Sequence, residues 1–146
     1  MSRSGRSSGT EDISAIDVPI RVRYADTDKM GVVYYGNYPV FFEVARSEYM
    51  RERGFTYRRF EDMGYCLVVV GLDAKYYSNA EYDDLVVVRT SMPELKSRGL
   101  TFHYSVYKDE SLLVEGSTKH ICVNGEKKAV AIPPDLYDAL KNVRAT

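Results

Sequence analysis

The segment that most constrains the fold is Tyr38 to Arg53, Tyr-Pro-Val-Phe-Phe-Glu-Val-Ala-Arg-Ser-Glu-Tyr-Met-Arg-Glu-Arg. Tyr38, Phe41, Phe42, Ala45 and Tyr49 recur at helical spacing, and Val44 and Met50 widen the apolar face. Glu43, Ser47, Glu48, Arg51 and Glu52 fill most of the other side. Asn37 fits an N-cap, Pro39 is tolerated in a first turn, and Gly54 suits the position just past the end. The aromatic residues on the buried side require something large to wrap around this helix.

The remaining pattern supplies that wrapping. Val18 to Tyr24 alternates apolar and basic residues, so Val18, Ile20, Val22 and Tyr24 are expected on one face of a strand. Pro19 near its start points to an edge position. A short helix is expected over Tyr57–Met63, ending at Gly64. Four β-rich runs follow: Leu67 to Tyr77, Leu85 to Pro93, Thr101 to Tyr107 and Leu112 to Val123. Asp109-Glu110 reads as a hairpin turn, and Pro133-Pro134 opens a last helix, Asp135 to Val143. Consecutive strands joined by tight turns become antiparallel neighbours. The expected fold class is α+β: a curved antiparallel sheet wrapped around a central helix. Exposed edges and aromatic-rich strands invite a second chain, so a homodimer or homotetramer is expected.

Composition narrows the function classes. A formal net charge of −1 gives no bulk attraction to nucleic acid or to an anionic membrane. No apolar run is long enough for membrane insertion. Residues 1–15 are rich in Ser, Gly and Arg, lack the apolar core of a signal peptide, and are expected to be a flexible tail. Residues 16–146 are then one domain, cytoplasmic by default. Cys66 and Cys122 form no CxxC pair and read as reduced, mostly buried thiols. His103 and His120 lack metal-ligand spacing, so no metal or other cofactor is called for.

The chemistry points to Tyr24–Tyr38, between the first strand and the helix. Asp26 and Asp28 stand two apart on a turn, Gly31 follows, and Gly36-Asn37 marks a helix start. A carboxylate near a helix N-terminus suits chemistry on a carbonyl, because the free N–H groups there stabilise developing negative charge.

These residues resemble the 4-hydroxybenzoyl-CoA thioesterase-like acyl-CoA hydrolases of the hot-dog fold, a group that includes the Tol–Pal-associated bacterial acyl-CoA thioesterases. The signature stands here as Arg21-Val22, then Thr27-Asp28-Lys29-Met30-Gly31-Val32-Val33-Tyr34-Tyr35-Gly36-Asn37-Tyr38. Phe41 to Tyr49 is similar to the family's central helix, and Lys75 to Asp84 to a link between strands. The likeness runs from about Ile20 to Pro133. It implies hydrolysis of an acyl-CoA to CoA and a carboxylic acid. Asp28 would be the catalytic carboxylate, as nucleophile or general base, and Asp26 only its neighbour. The backbone N–H of Tyr35 would hold the thioester oxygen. Many relatives carry His at the Tyr35 position, a departure that touches pocket shape more than the reaction. Gly31, Asn37 and Tyr38 would support the loop-to-helix junction.

Other hot-dog enzymes use a helix carboxylate, which makes Glu43 the backup catalytic candidate. The CoA phosphates need cations; Lys96 and Arg98, in a turn between strands, form the best local cluster, with Lys75 a weaker one. The alternative function is a non-catalytic acyl-CoA-binding module on the same fold. A dehydratase would need a His–acid pair near the helix, and neither histidine is placed for one.

Overall fold

The computed structural model describes residues 15–145, and the side chains of residues 15–141. The expected N-terminal tail, apart from Ala15, lies outside the described residues. Five strands form one antiparallel sheet: β1 (Ile16–Arg21), β2 (Cys66–Tyr76), β3 (Leu85–Leu95), β4 (Gly99–Lys108) and β5 (Ser111–Val123), in the order β1-β3-β4-β5-β2. Three helices accompany them: α1 (Tyr38–Glu52), α2 (Tyr57–Asp62) and α3 (Pro134–Ala145). Among the described residues, no helix is long and apolar enough to cross a membrane.

The central helix lies on the concave face of the sheet, as its aromatic stripe requires. Phe42 stacks on Tyr104 of β4, with ring centroids 4.3 Å apart, and Tyr49 meets Phe102 edge-on at 5.5 Å. Such ring pairs add to the area they bury. Tyr38, Phe41, Ala45 and Met50 complete the buried side. Val44 does not belong to it: it is exposed, because its place on the turn faces away from the strands. Gly116 of β5 allows the close approach, since a Cβ there would lie 3.0 Å from the Phe42 ring and 2.5 Å from the Asp73 carbonyl oxygen.

The strand pattern differs from the expectation in three places. β1 starts at Ile16 and ends at Arg21, and Tyr24 leaves the sheet into a 3-10 turn, 78% exposed. β3 runs through Pro93 to Leu95; the proline lacks a ladder donor, and the register with β4 shifts between Ser91 and Glu94. β2 is not the neighbour of β3. It pairs with β5 at the opposite edge, and the link 77–84 carries the chain across to β3. That link also braces the loop before α1: Val33 N–H donates to the Ala80 carbonyl at 2.9 Å, and Val32 bridges Glu81.

The two edges are unlike. β1 is short and carries Pro19 and the Asp17–Arg89 ion pair. β2 is eleven residues long and leaves Val68, Val69, Val70, Leu72 and Tyr76 exposed. Both cysteines are free thiols; Cys122 is buried, but Cys66 is exposed because it opens the edge strand. Burial, with a smaller contribution from nearby Cys66, pushes the Cys122 thiol up to about 11.

Candidate active site

Asp26 organises the loop that leads into α1. Its carboxylate accepts from the backbone N–H of Arg23 at 2.8 Å and from Arg23 Nη2 at 2.9 Å, and its own N–H donates to the Arg23 carbonyl at 3.0 Å, which closes the 3-10 turn Tyr24–Asp26. Its carbonyl accepts twice, from the N–H of Tyr34 at 3.0 Å and from Asn37 Nδ2 at 2.9 Å. Burial alone would raise its pKa, but the side-chain and backbone hydrogen bonds and the charge of Arg23 outweigh that and hold it below the usual carboxylate value. Asp26 is therefore a buried, ionised brace. The Arg-x-x-Asp spacing could have shown this in the sequence, where it was read only as a neighbour of Asp28.

Asp28 sits at the mouth of a small hairpin. Thr27 bridges Val33, and Asp28 N–H donates to the Val32 carbonyl at 3.0 Å. The three-residue loop Lys29-Met30-Gly31 closes it, with Gly31 in the left-handed region at φ +82°. The carboxylate of Asp28 is exposed, and its Oδ1 accepts from Met30 N–H at 2.8 Å. Its Oδ2 has no partner among the described residues.

The other half of the site is the head of α1. A 3-10 turn, Tyr35–Asn37, runs directly into the helix at Tyr38. Asn37 stands at the N-cap position but does not cap: its backbone is already helical, and its side chain reaches to Asp26. Tyr38 is buried, and its hydroxyl accepts from Ala80 N–H at 3.4 Å. The Tyr34 carbonyl accepts from Asn37 N–H at 2.8 Å and so points into the turn. A trans peptide sets N–H opposite to C=O, so the Tyr35 N–H faces out of the helix end. Among the described residues nothing accepts the N–H of Tyr35 or Gly36. The Tyr35 ring is 62% exposed, and Tyr76 of β2 donates its hydroxyl to the Tyr35 carbonyl at 3.2 Å.

Asp28 and Gly31 share the hairpin, Tyr35, Asn37 and Tyr38 the head of α1, and Asp26 ties the two segments together; the remaining candidates lie outside both. Lys75 precedes Tyr76 and lies at the same end of the sheet. Lys96 and Arg98 lie in the turn after β3, about 33 Å along that strand from Leu85, which pairs with Arg21 at the end of β1 that leads into the loop. Lys96 pairs with Glu94 at 3.4 Å. Glu43 is exposed on α1, about one and a half helical turns beyond Tyr38, at the rim of a cavity that also holds Arg46, Tyr57 and His120. The sequence reading did not single out Arg46 or Tyr57, although Glu43, Arg46, Ser47 and Met50 share one helix stripe. Among the described residues, no group of three His, Cys, Asp or Glu side chains is arranged to hold a metal.

The sequence pattern of the thioesterase-like superfamily runs through residues 22–140. The chain belongs to that superfamily. Within it, the chain is 36% identical to the acyl-CoA thioesterase YbgC of Haemophilus influenzae, over 86% of this chain and 94% of that one. It is 32% identical to the acyl-CoA thioester hydrolase YbgC of an Escherichia coli strain, over 84% and 93%. Solved structures share the fold. A hypothetical protein from Thermus thermophilus matches with a TM-score of 0.85 at 41% identity, over 87% of this chain and 98% of that one. A DHNA-CoA thioesterase from Staphylococcus aureus matches at 0.85 and 33%, over 90% and 91%. Fold and family are thus those of acyl-CoA thioester hydrolases with the hot-dog architecture.

Proposed function

We propose that this chain hydrolyses an acyl-CoA thioester, with Asp28 as nucleophile or general base and the Tyr35 N–H as the oxyanion donor. The observation that carries this reading is the outward-facing, unaccepted N–H of Tyr35 at the head of α1, tied through Asp26 to the hairpin that bears Asp28. In this reading the thioester oxygen accepts from the Tyr35 N–H. As the carbonyl carbon is attacked, negative charge grows on that oxygen, where the amide and the helix dipole stabilise it. Asp28 either adds to the carbon directly or takes a proton from the attacking water. The C–S bond breaks, and CoA leaves as thiolate and takes up a proton. Where Asp28 itself has added, water then cleaves the acyl–aspartyl anhydride and frees the carboxylate; in both routes the acyl group ends as a carboxylic acid. Of Lys75, Lys96 and Arg98, Lys75 lies at the end of the sheet nearer the site, on the face of β2 opposite Tyr76. Lys96 and Arg98 would contribute only to a phosphate far from the reacting carbon, or to one bound by another copy.

Oligomerisation through β2 fits the same reading. A long, unpaired, apolar edge is a template for strand pairing, and a second copy of β2 matches it in length and polarity. A non-catalytic acyl-CoA-binding module has one observation in its favour: the Asp28 carboxylate already serves its own turn, by accepting from Met30. A panel of acyl-CoAs with a thiol reagent separates the readings. Thiol release that is lost in Asp28→Asn supports hydrolysis; tight acyl-CoA binding with no release from the parent protein supports the module.

A further inference from the structure

The end of β2 and the link after it hold both halves of the proposed site. Val33 N–H donates to the Ala80 carbonyl at 2.9 Å and Val32 bridges Glu81, which grips the hairpin that carries Asp28. Ala80 N–H donates to the Tyr38 hydroxyl at 3.4 Å, and Tyr76 donates its hydroxyl to the Tyr35 carbonyl at 3.2 Å, which grips the head of α1. The Tyr76 contact differs from the others in the group it meets.

The Tyr35 carbonyl belongs to the Tyr35–Gly36 peptide, whose other end is the Gly36 N–H. This carbonyl accepts twice, from the Tyr38 N–H and from the Tyr76 hydroxyl. A carbonyl oxygen has two lone pairs, so both are committed and the peptide plane is fixed. The trans geometry then sends the Gly36 N–H the opposite way, out of the helix end. The Asn37 N–H is taken by the Tyr34 carbonyl, which leaves the amides of Tyr35 and Gly36 as neighbours with no acceptor among the described residues. Free amides of a first turn point together along the axis. A hydrogen bond at the carbonyl also polarises its peptide and strengthens the N–H as a donor.

The ring and the hydroxyl of Tyr76 act separately. The ring meets Tyr35 edge-on, with centroids 6.1 Å apart, and Tyr38 at 5.8 Å. These contacts do not need the hydroxyl. Tyr76 is 46% exposed, so water can take the place of the carbonyl as its partner and the fold loses little if the bond is missing. The Tyr35–Gly36 peptide, by contrast, loses one of the two donors that orient it. On its Cα side Gly36 is flanked by the Tyr34 ring, where a Cβ would lie 2.7 Å from Cε2.

We propose that Tyr76 is a positioning residue: its hydroxyl holds the Tyr35–Gly36 peptide so that the Gly36 N–H stands beside the Tyr35 N–H as a second donor to the thioester oxygen. This rests on the acyl-CoA reading above. Tyr-Gly occurs once in the sequence, at Tyr35-Gly36. Protein labelled with carbon-13 at the tyrosine carbonyl and nitrogen-15 in glycine therefore gives a single carbonyl-to-nitrogen correlation, from this peptide. In Tyr76→Phe, which keeps the ring, the Tyr35 carbonyl carbon should move upfield and the Gly36 amide should shift with it. With the fastest-cleaved of acetyl-, octanoyl- and benzoyl-CoA, kcat should fall about 3- to 10-fold, while KM and the urea midpoint stay close to the parent's. Tyr77→Phe removes the next hydroxyl, which meets Glu115 at 3.4 Å, and should change neither the correlation nor kcat. A correlation unmoved in Tyr76→Phe, a kcat that stays parental, or an equal loss of kcat in Tyr77→Phe overturns the proposal. If the parent releases no thiol from any of the three thioesters while the correlation moves in Tyr76→Phe, the acyl-CoA reading fails and Tyr76 still clamps the helix head.

Discussion

Asp26 and Asp28 are two residues apart, yet one is 3% exposed and the other open to solvent. Asp26 gives both carboxylate oxygens to Arg23 and its carbonyl to Tyr34 and Asn37. Asp28 gives one oxygen to Met30 and keeps the other free. A buried carboxylate with both oxygens committed to three Arg23 donors can hold a loop but has nothing left for a substrate. A carboxylate with a spare oxygen at a hairpin mouth can act, but it contributes little to holding the fold. The loop divides its two acids between these tasks, and the proposed chemistry depends on both.

Separating the two acids by mutation should give opposite signatures. Asp28→Asn should lower kcat for acyl-CoA hydrolysis on the order of 10²–10⁴-fold, with thermal midpoint close to the parent's. Asp26→Ala should instead cost about 1–3 kcal/mol in urea unfolding, because it strips a buried partner from Arg23 and loosens the path to Tyr35. Activity would fall in Asp26→Ala as well, through displacement of the Tyr35 N–H. An Asp28→Asn protein that turns over normally, or an Asp26→Ala protein of parental stability, would break the division.

Acid titration sharpens the contrast. The folded pKa of Asp26 is held below its ordinary 3.8. The unfolded chain therefore takes up its proton first as pH falls, and the stability that Asp26 gives above the ordinary carboxylate range is lost as pH drops through the folded value. Asp26→Asn should show a flatter loss of stability below about pH 4. His120 acts over an earlier window. Burial, helped by the charge of Arg46, lowers its pKa from 6.5 to about 4, so the unfolded state protonates first and stability declines as pH falls between those values. Urea midpoints measured from pH 7 to pH 3 resolve the two steps.

The sequence showed the helix clearly because Tyr38, Phe41, Phe42, Ala45 and Tyr49 announce one buried side. The antiparallel run β3–β4–β5 was equally open, since short turns force neighbours together. The place of β2 was not, because nothing local in residues 77–84 says that the chain crosses to the other edge. Asp28 and the Tyr35 position came through the family signature rather than through local chemistry. The brace at Asp26 and the cavity at Arg46 depend on contacts across the fold. For Arg46 these reach Tyr104, fifty-eight positions away.

The smallest expected effect concerns the turn that sets Asp28 at the hairpin mouth. Gly31 has φ +82°, and a Cβ built on it would meet nothing within 4 Å. Replacement therefore meets no collision, only the backbone cost of a side chain in the left-handed region, about 1 kcal/mol for Gly31→Ala. Gly31→Asn should cost less, because asparagine tolerates that region. If the turn matters only through its backbone, both variants should lose activity in the same order as they lose stability in urea. Full activity in Gly31→Ala together with the expected loss of stability would mean that the position of Asp28 does not depend on the turn, and that the hairpin is a scaffold for Asp26 alone.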